Sequence, residues 1–194
     1  PPRSTLFPYT TLFRSFYIDK MEVTNGNYQL FINATAHKTP SYWNNNRYPQ
    51  GKSHFPVVDL TWYDASLYAC WCDKKLPSES EWERAAHGDI QKGINVKWPW
   101  GNIYFKNFAN AESDSILPVG QFPQGKSVFG VLDMAGNVWE WTDSWYDIEI
   151  KKDKVIKGGS YKTSKEHART TYRDGFLPRY SKEDIGFRCV KEPK

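Results

Sequence analysis

Asp133 and Glu140 have the greatest chemical reach in this sequence, because they flank a turn and an alternating run in Asp133-Met134-Ala135-Gly136-Asn137-Val138-Trp139-Glu140-Trp141. Carboxylates held beside main-chain carbonyls are hard oxygen donors, and such donors suit calcium. Gly136 and Asn137 supply the turn, since both tolerate backbone angles that branched residues avoid. Beyond the turn the period becomes two, so Val138 and Glu140 share one side and Trp139 and Trp141 the other. The same pattern reads as a core strand after a turn, with no ion.

Other reactive residues are sparser. Cys70, Cys72 and Cys189 form a C-x-C pair and a distant partner, which is not a zinc spacing. One disulfide with a leftover thiol and three buried thiols both fit. The glutamates of Leu76-Pro77-Ser78-Glu79-Ser80-Glu81-Trp82-Glu83 sit in a capping box, so cap and helix dipole account for them better than acid–base catalysis does. His37, His54, His87 and His167 are scattered, with no pair at helical ligand spacing.

The chain has 194 residues, enough for one sizeable domain with a core of its own. It is 16% aromatic, with nine Trp, yet its mean hydropathy is −0.71. Large rings beneath a loop-rich polar surface satisfy both values. The net charge of +4 is spread along the chain without a basic block, which argues against nucleic-acid binding. No apolar run is long enough to span a membrane.

Several elements must position the acidic turn. Residues 1–15, with Thr-Leu-Phe repeated around a proline, show neither helical nor strand periodicity. They resemble adapter read-through at the end of an assembled environmental sequence and are set aside as a leader. The native N-terminal strand, and any signal peptide or lipid anchor, is then expected to be missing. The domain proper is expected over 16–194. Phe16 to Asp19 reads as a strand. Thr24 caps a helix over Asn25 to Ala36 with Tyr28, Phe31 and Ile32 buried. Thr39 to Ser53 is a surface loop. Thr61 caps a second helix over Trp62 to Lys74, with Trp62, Ala65, Ala69 and Cys72 near one face. A third, short helix follows Ser78 and should stop at Gly88. Asp147 to Lys154 reads as a solvated hairpin tip, Val155 to Tyr161 as a strand entering a Gly-Gly loop, and Ile185 to Val190 as one alternating strand. Helices first and short strands later argue for an α+β fold with a large irregular fraction.

Six ordered motifs carry a family resemblance: Phe16-Tyr17-Ile18-Asp19-Lys20-Met21-Glu22-Val23-Thr24-Asn25, Leu76 to Glu83, Trp98-Pro99-Trp100-Gly101, Gly136 to Trp141, Gly158-Gly159-Ser160-Tyr161 and Gly186-Phe187-Arg188-Cys189. Together they resemble the formylglycine-generating enzyme (sulfatase-modifying factor) family from Phe16 onward. The resemblance implies an elaborated C-type-lectin-like fold with two main helices. It also implies structural calcium at Asp133, Gly136, Val138 and Glu140. A second, weaker calcium position falls at Asn110, Ala111 and Asp114. Trp139, Ser160 and Arg173 match residues that line the family's cleft. A disulfide between Cys70 and Cys189 is implied by position, with Cys72 as the other partner.

The family's oxidases hold copper with two thiolates, a soft pair suited to Cu(I). In this sequence Thr163 and Ala168 occupy those positions, so copper is not expected. Family members without the pair occur as non-catalytic domains of bacterial surface lipoproteins and beside signalling domains. That points to a calcium-stabilised binding or scaffold module whose loop-lined cleft takes a protein or a small molecule. The alternative is an oxidoreductase acting on a small metabolite or peptide with cofactor ligands from elsewhere. An exported or cell-surface location accords with the first reading.

Overall fold

The computed structural model describes residues 4–6, 15–87 and 96–193. Within them each α-helix begins at a hydroxyl cap. In α1 (Asn25–Thr35), Thr24 Oγ1 accepts the Asn27 N–H at 3.2 Å and turns Tyr28, Phe31 and Ile32 into the core. In α2 (Trp62–Trp71), Asp64 Oδ2 accepts the N–H of Thr61 at 3.0 Å, and Thr61 Oγ1 returns the bond to the Asp64 N–H. In α3 (Glu79–His87), Glu81 Oε2 accepts the Ser78 N–H at 2.7 Å, completing the capping box.

Helix α2 ends three residues before the expected Lys74, for a local reason. Asp73 takes a left-handed φ of 56°; its N–H reaches the Cys70 carbonyl, and the Lys74 N–H reaches the Ala69 carbonyl. That pair of bonds is the Schellman motif, here with Asp where glycine is usual. The expected stop at Gly88 lies outside the described residues.

The strands form two sheets. One has the order β1–β2–β7, built from Ser4–Leu6, Tyr17–Asp19 and Val190–Lys191, all antiparallel. The backbone of Ser4–Leu6, within the leader set aside above, thus pairs with β2. The other has the order β5–β4–β3–β6, from Arg173–Phe176, Lys154–Lys157, Trp139–Trp145 and Ile185–Gly186. Strands β3, β4 and β5 are antiparallel, whereas β6 runs parallel to β3. The single strand expected over Ile185 to Val190 is therefore divided: its start serves one sheet and its end the other. All six residues are buried, so the alternation does not separate a wet face from a dry one.

The main core lies between α1, α2 and the second sheet, and includes Tyr28, Phe31, Tyr68, Trp139, Trp141 and Phe187. A second core around Trp82, Phe16, Ile18 and Met134 lies beneath α3. Strand β3 separates them. Its alternation turns Trp139 and Trp141 into the first core and Glu140 towards Trp82 of the second. Buried indoles need partners: Trp141 Nε1 donates to the Leu60 carbonyl at 3.1 Å and Trp62 Nε1 to the Thr142 carbonyl at 2.9 Å. Lys154, expected at a solvated tip, is buried, with its ammonium 4.2 Å from the Trp62 ring centroid and 4.1 Å from that of Trp145.

At the end of α3 the His87 ring is buried, and neither nitrogen has a hydrogen-bond partner. Burial lowers its pKa from the ordinary 6.5; Glu83 pulls the other way, while Lys157 and Arg84 add to the lowering. The folded protein therefore holds His87 neutral, while below about pH 6.5 the unfolded chain takes up a proton. Stability should fall as pH drops from there towards the lower folded value, and urea midpoints for His87→Phe should be flatter across that window. An equal slope in the variant would assign the effect elsewhere.

Candidate functional site

Glu140 lies at the centre of the acidic turn with no solvent exposure. Its two oxygens accept from Arg188 Nε and Nη2 at 2.7 Å each, and Trp82 Nε1 donates to Oε2 at 2.8 Å. Arg188 also donates to the carbonyls of Leu132, Asp19 and Lys20, so all five of its N–H groups are used. This is a bidentate, desolvated ion pair that ties β3 to the β6–β7 segment and the chain before α1.

Two more buried carboxylates stand beside it. Glu22 accepts from Asn137 Nδ2 at 3.0 Å through Oε1, while its Oε2 is buried without a donor. Asp133, at a left-handed φ of 57°, accepts the Gly120 N–H at 2.6 Å. Burial pushes the Glu22 carboxyl well above the ordinary carboxylate range, and the nearby Asp133 adds to the effect. The Asp133 carboxyl is raised too, chiefly by burial, with the Gly120 N–H opposing. Three carboxylates thus face one guanidinium.

Burial without a counter-charge drives such acids towards their neutral form, and a hard cation would draw them back to carboxylates. The donor chemistry fits calcium, with one adjustment. Glu140 is largely committed to Arg188 and Trp82, so the free carboxylate capacity belongs to Asp133 and Glu22. Among the described residues no three His, Cys, Asp or Glu side chains converge on a metal-sized point. Main-chain oxygens, those of Gly136 and Val138 in the resemblance, would have to complete the shell.

Asn137 holds the turn together, a role not foreseen from sequence. At φ 61° its N–H donates to the Asn110 carbonyl at 2.7 Å, and its own carbonyl accepts from Tyr161 N at 2.9 Å. Its amide bridges Glu22, Leu117 and Asn110. The available signal was an Asn directly after Gly, but sequence shows only the turn and not the partners. Asn110 is consumed by this network: its Nδ2 donates to Asn137 Oδ1 and the Ser115 carbonyl. Asn110 and Ala111 are buried, whereas Asp114 is exposed.

The cleft positions divide into separate environments. Trp139 packs in the main core, 6.1 Å from Tyr172 and 6.3 Å from His167 between ring centroids. Ser160 is buried and donates to Asp184 Oδ2 at 2.8 Å. Arg173 is half-exposed on β5, where it pairs with Glu79 at 2.9 Å and covers the Tyr146 ring. The copper positions, by contrast, do come together. Both Thr163 Oγ1 and the Ala168 N lie 3.0 Å from where a Cβ on Gly159 would stand. Thr163 Oγ1 accepts the Ser160 N–H and donates to the Ser160 carbonyl, and the Ala168 methyl packs against Ala109 and Ala135. A hydrogen-bonded hydroxyl and a packed methyl do not fit Cu(I).

The implied Cys70–Cys189 bridge is not formed. All three thiols are free, with Cys70 exposed on α2 and Cys189 fully buried. Cys72, on the half-buried side of the helix end, is the thiol whose field reaches Cys189. The histidines also stay apart: His37 pairs with Asp64 at 2.8 Å and His167 Nδ1 with Ser164 at 2.9 Å. Among the described residues no helix is long and apolar enough to cross a membrane.

Comparison with known proteins places this arrangement. Residues 7–193 match the sulfatase-modifying factor enzyme 1-like domain. The chain is 32% identical to the serine/threonine-protein kinase Pkn1 of Chlamydia trachomatis, over 92% of this chain and 33% of that protein. It is 36% identical to the inactive C-alpha-formylglycine-generating enzyme 2 of Bos taurus, over 72% of this chain and 51% of that protein. The chain therefore spans about a third to a half of these relatives. The crystal structure of CarF superposes with a TM-score of 0.81 at 19% identity, covering 100% of this chain and 99% of that one, a likeness of fold. With its motifs in order across nearly its whole length, the chain belongs to the sulfatase-modifying factor enzyme 1-like domain family.

Proposed function

We propose that this domain is a non-catalytic binding or scaffold module stiffened by calcium, without the copper oxidase chemistry of its family. The observation that carries the reading is the pair of occupied positions beside Gly159, where a bonded Thr163 hydroxyl and the Ala168 methyl replace soft ligands. A relative that is an inactive formylglycine-generating enzyme, and others in which a similar segment accompanies a kinase, are in keeping with it. Calcium in this reading rests on the surplus of buried carboxylates at Glu22, Asp133 and Glu140 against Arg188. Bound there, it would neutralise charge and lock the Asp133-to-Glu140 turn against the segment between β2 and α1 that carries Glu22. The ligand-binding surface would then be set by the loops that this turn anchors.

Melting with and without calcium tests the metal. A ligand that binds only the folded state stabilises by about 2.7 kcal/mol at a hundred times its Kd. Calcium should raise the melting temperature of the parent, and Asp133→Asn should abolish most of the rise. Glu140→Ala serves less well, because it also breaks the Arg188 pair. Equal rises in parent and Asp133→Asn would remove calcium from this turn. Stoichiometric copper or iron with oxygen consumption in the purified protein would overturn the non-catalytic reading in favour of an oxidoreductase.

A further inference from the structure

A cavity of about 500 Å³ lies away from the acidic turn, between α1 and the loop that follows it. Gln29 and Asn33 of α1 form one wall; Asn45, Asn46, Arg47 and Tyr48 form the other. We infer that this pocket binds a saccharide through its hydroxyl groups. The inference rests on the binding-module reading above and names the ligand class.

Four features carry it. Carboxamides predominate, and each can both donate and accept, which matches hydroxyl groups that do the same. The lining residues include no carboxylate, and Arg47 is their cation, so the pocket takes a neutral or an acidic sugar and disfavours a cationic ligand. The loop wall is a pre-formed hairpin: Asn44 and Arg47 exchange main-chain bonds at 3.0 and 2.9 Å, with Asn45 and Asn46 at φ 50° and 58°. Those angles make a type I′ turn, in which the two Asn side chains are presented at low entropic cost. Tyr48 is held by an edge contact with buried Trp43 at 5.5 Å, giving the pocket one fixed ring against which the C–H face of a sugar can lie.

Gln29 connects the walls. Its Nε2 donates to Asn33 Oδ1 and to the Asn46 carbonyl at 3.0 Å each, while its Oε1 is buried without a donor. A hydroxyl that takes over the Asn33 or Asn46 contact frees the Gln29 amide to turn and bring Oε1 to a donor. The unpaired oxygen is thereby satisfied on binding, which favours a ligand rich in O–H groups over one that only accepts.

The test is a titration of the isotope-labelled protein with three tetrasaccharides: β-1,4-linked glucose, β-1,4-linked N-acetylglucosamine and α-1,4-linked galacturonate. At least one should shift the side-chain amide signals of Gln29, Asn33, Asn45 and Asn46 saturably. Gln29→Ala should weaken it at least about tenfold, a loss of roughly 1.4 kcal/mol. Asn46→Gly, which keeps the turn, should also weaken it, with the remaining spectrum unchanged. No shift of these signals by any probe at about 10 mM, which corresponds to negligible affinity, overturns the inference. So does an equal shift with polyethylene glycol of matched length. Repeating the titration in a calcium chelator separates the two readings: persistence of the shifts there upholds the pocket even if the calcium-dependent melting fails.

Discussion

Arg188→Met is expected to be the most damaging single substitution at the acidic turn, costing at least about 3–5 kcal/mol because it leaves buried charge unpaired. The change removes five donated hydrogen bonds, takes the guanidinium from the carbonyls of Asp19 and Leu132, leaves the Lys20 carbonyl with only the Leu132 N–H, and leaves Glu22, Asp133 and Glu140 facing one another without a counter-charge. Glu140→Gln should cost clearly less. The guanidinium then keeps its carbonyl partners and still faces two carboxylates, and a Gln side-chain oxygen can accept from Trp82 or Arg188. Guanidinium midpoints for the two variants measure the order. A larger loss in Glu140→Gln would mean that Glu22 and Asp133 do not act as counter-charges, and the case for a cation beside them would weaken accordingly.

Gly136→Ala is the second large effect. A Cβ there would stand 2.2 Å from the Asn110 carbonyl oxygen, and φ at Gly136 is +78°. Left-handed strain alone costs about 1–3 kcal/mol. Here the clash is with backbone, so the Asn110–Gly136 bridge and the neighbouring Asn137 to Asn110 hydrogen bond must open as well. Gly130 supplies the control, because it has φ +79° with nothing within 4 Å of its would-be Cβ. Gly130→Ala should show the strain alone, and the difference in thermal midpoint between the two variants reports the close approach. Equal midpoints would show that the turn can relax away from Asn110.

The helices were the most legible part of the chain, because their signals are local. Thr24, Thr61 and Ser78 each announce a start through a residue three positions on, and all three caps form. The end of α2 was misplaced because Asp73 supplies the left-handed residue, a conformation that glycine or asparagine would have advertised. The short strands were harder. Arg173–Phe176 carries a glycine and two charges and becomes a strand only because β4 offers it an edge. Ile185 to Val190 alternates in sequence, yet it is buried throughout because two sheets share it.

At the site, sequence pattern and resemblance located the acidic turn but not the partners that determine its chemistry. Arg188 and Glu140 lie 48 positions apart and Glu22 and Asn137 lie 115 apart, and no local period reports such pairings. Lys154 illustrates the same point. A run of charges reads as solvated until Trp62 and Trp145, far apart in the chain, close over its ammonium.

The division of one late segment between two sheets has a consequence in time. Strand β2 near the start finds its cross-strand partner only at Val190–Lys191, and the parallel neighbour of β3 is Ile185–Gly186. Pairings of such sequence separation are slow to form, since loop closure precedes the contacts that reward it. During synthesis residues 16 to 184 must therefore wait, with the Glu140 pocket open and β2 unpaired by β7, until residues 185 to 191 have left the ribosome. A chain halted just before Arg188 should remain protease-sensitive throughout, and extension through Lys191 should convert it to a resistant form in a single step.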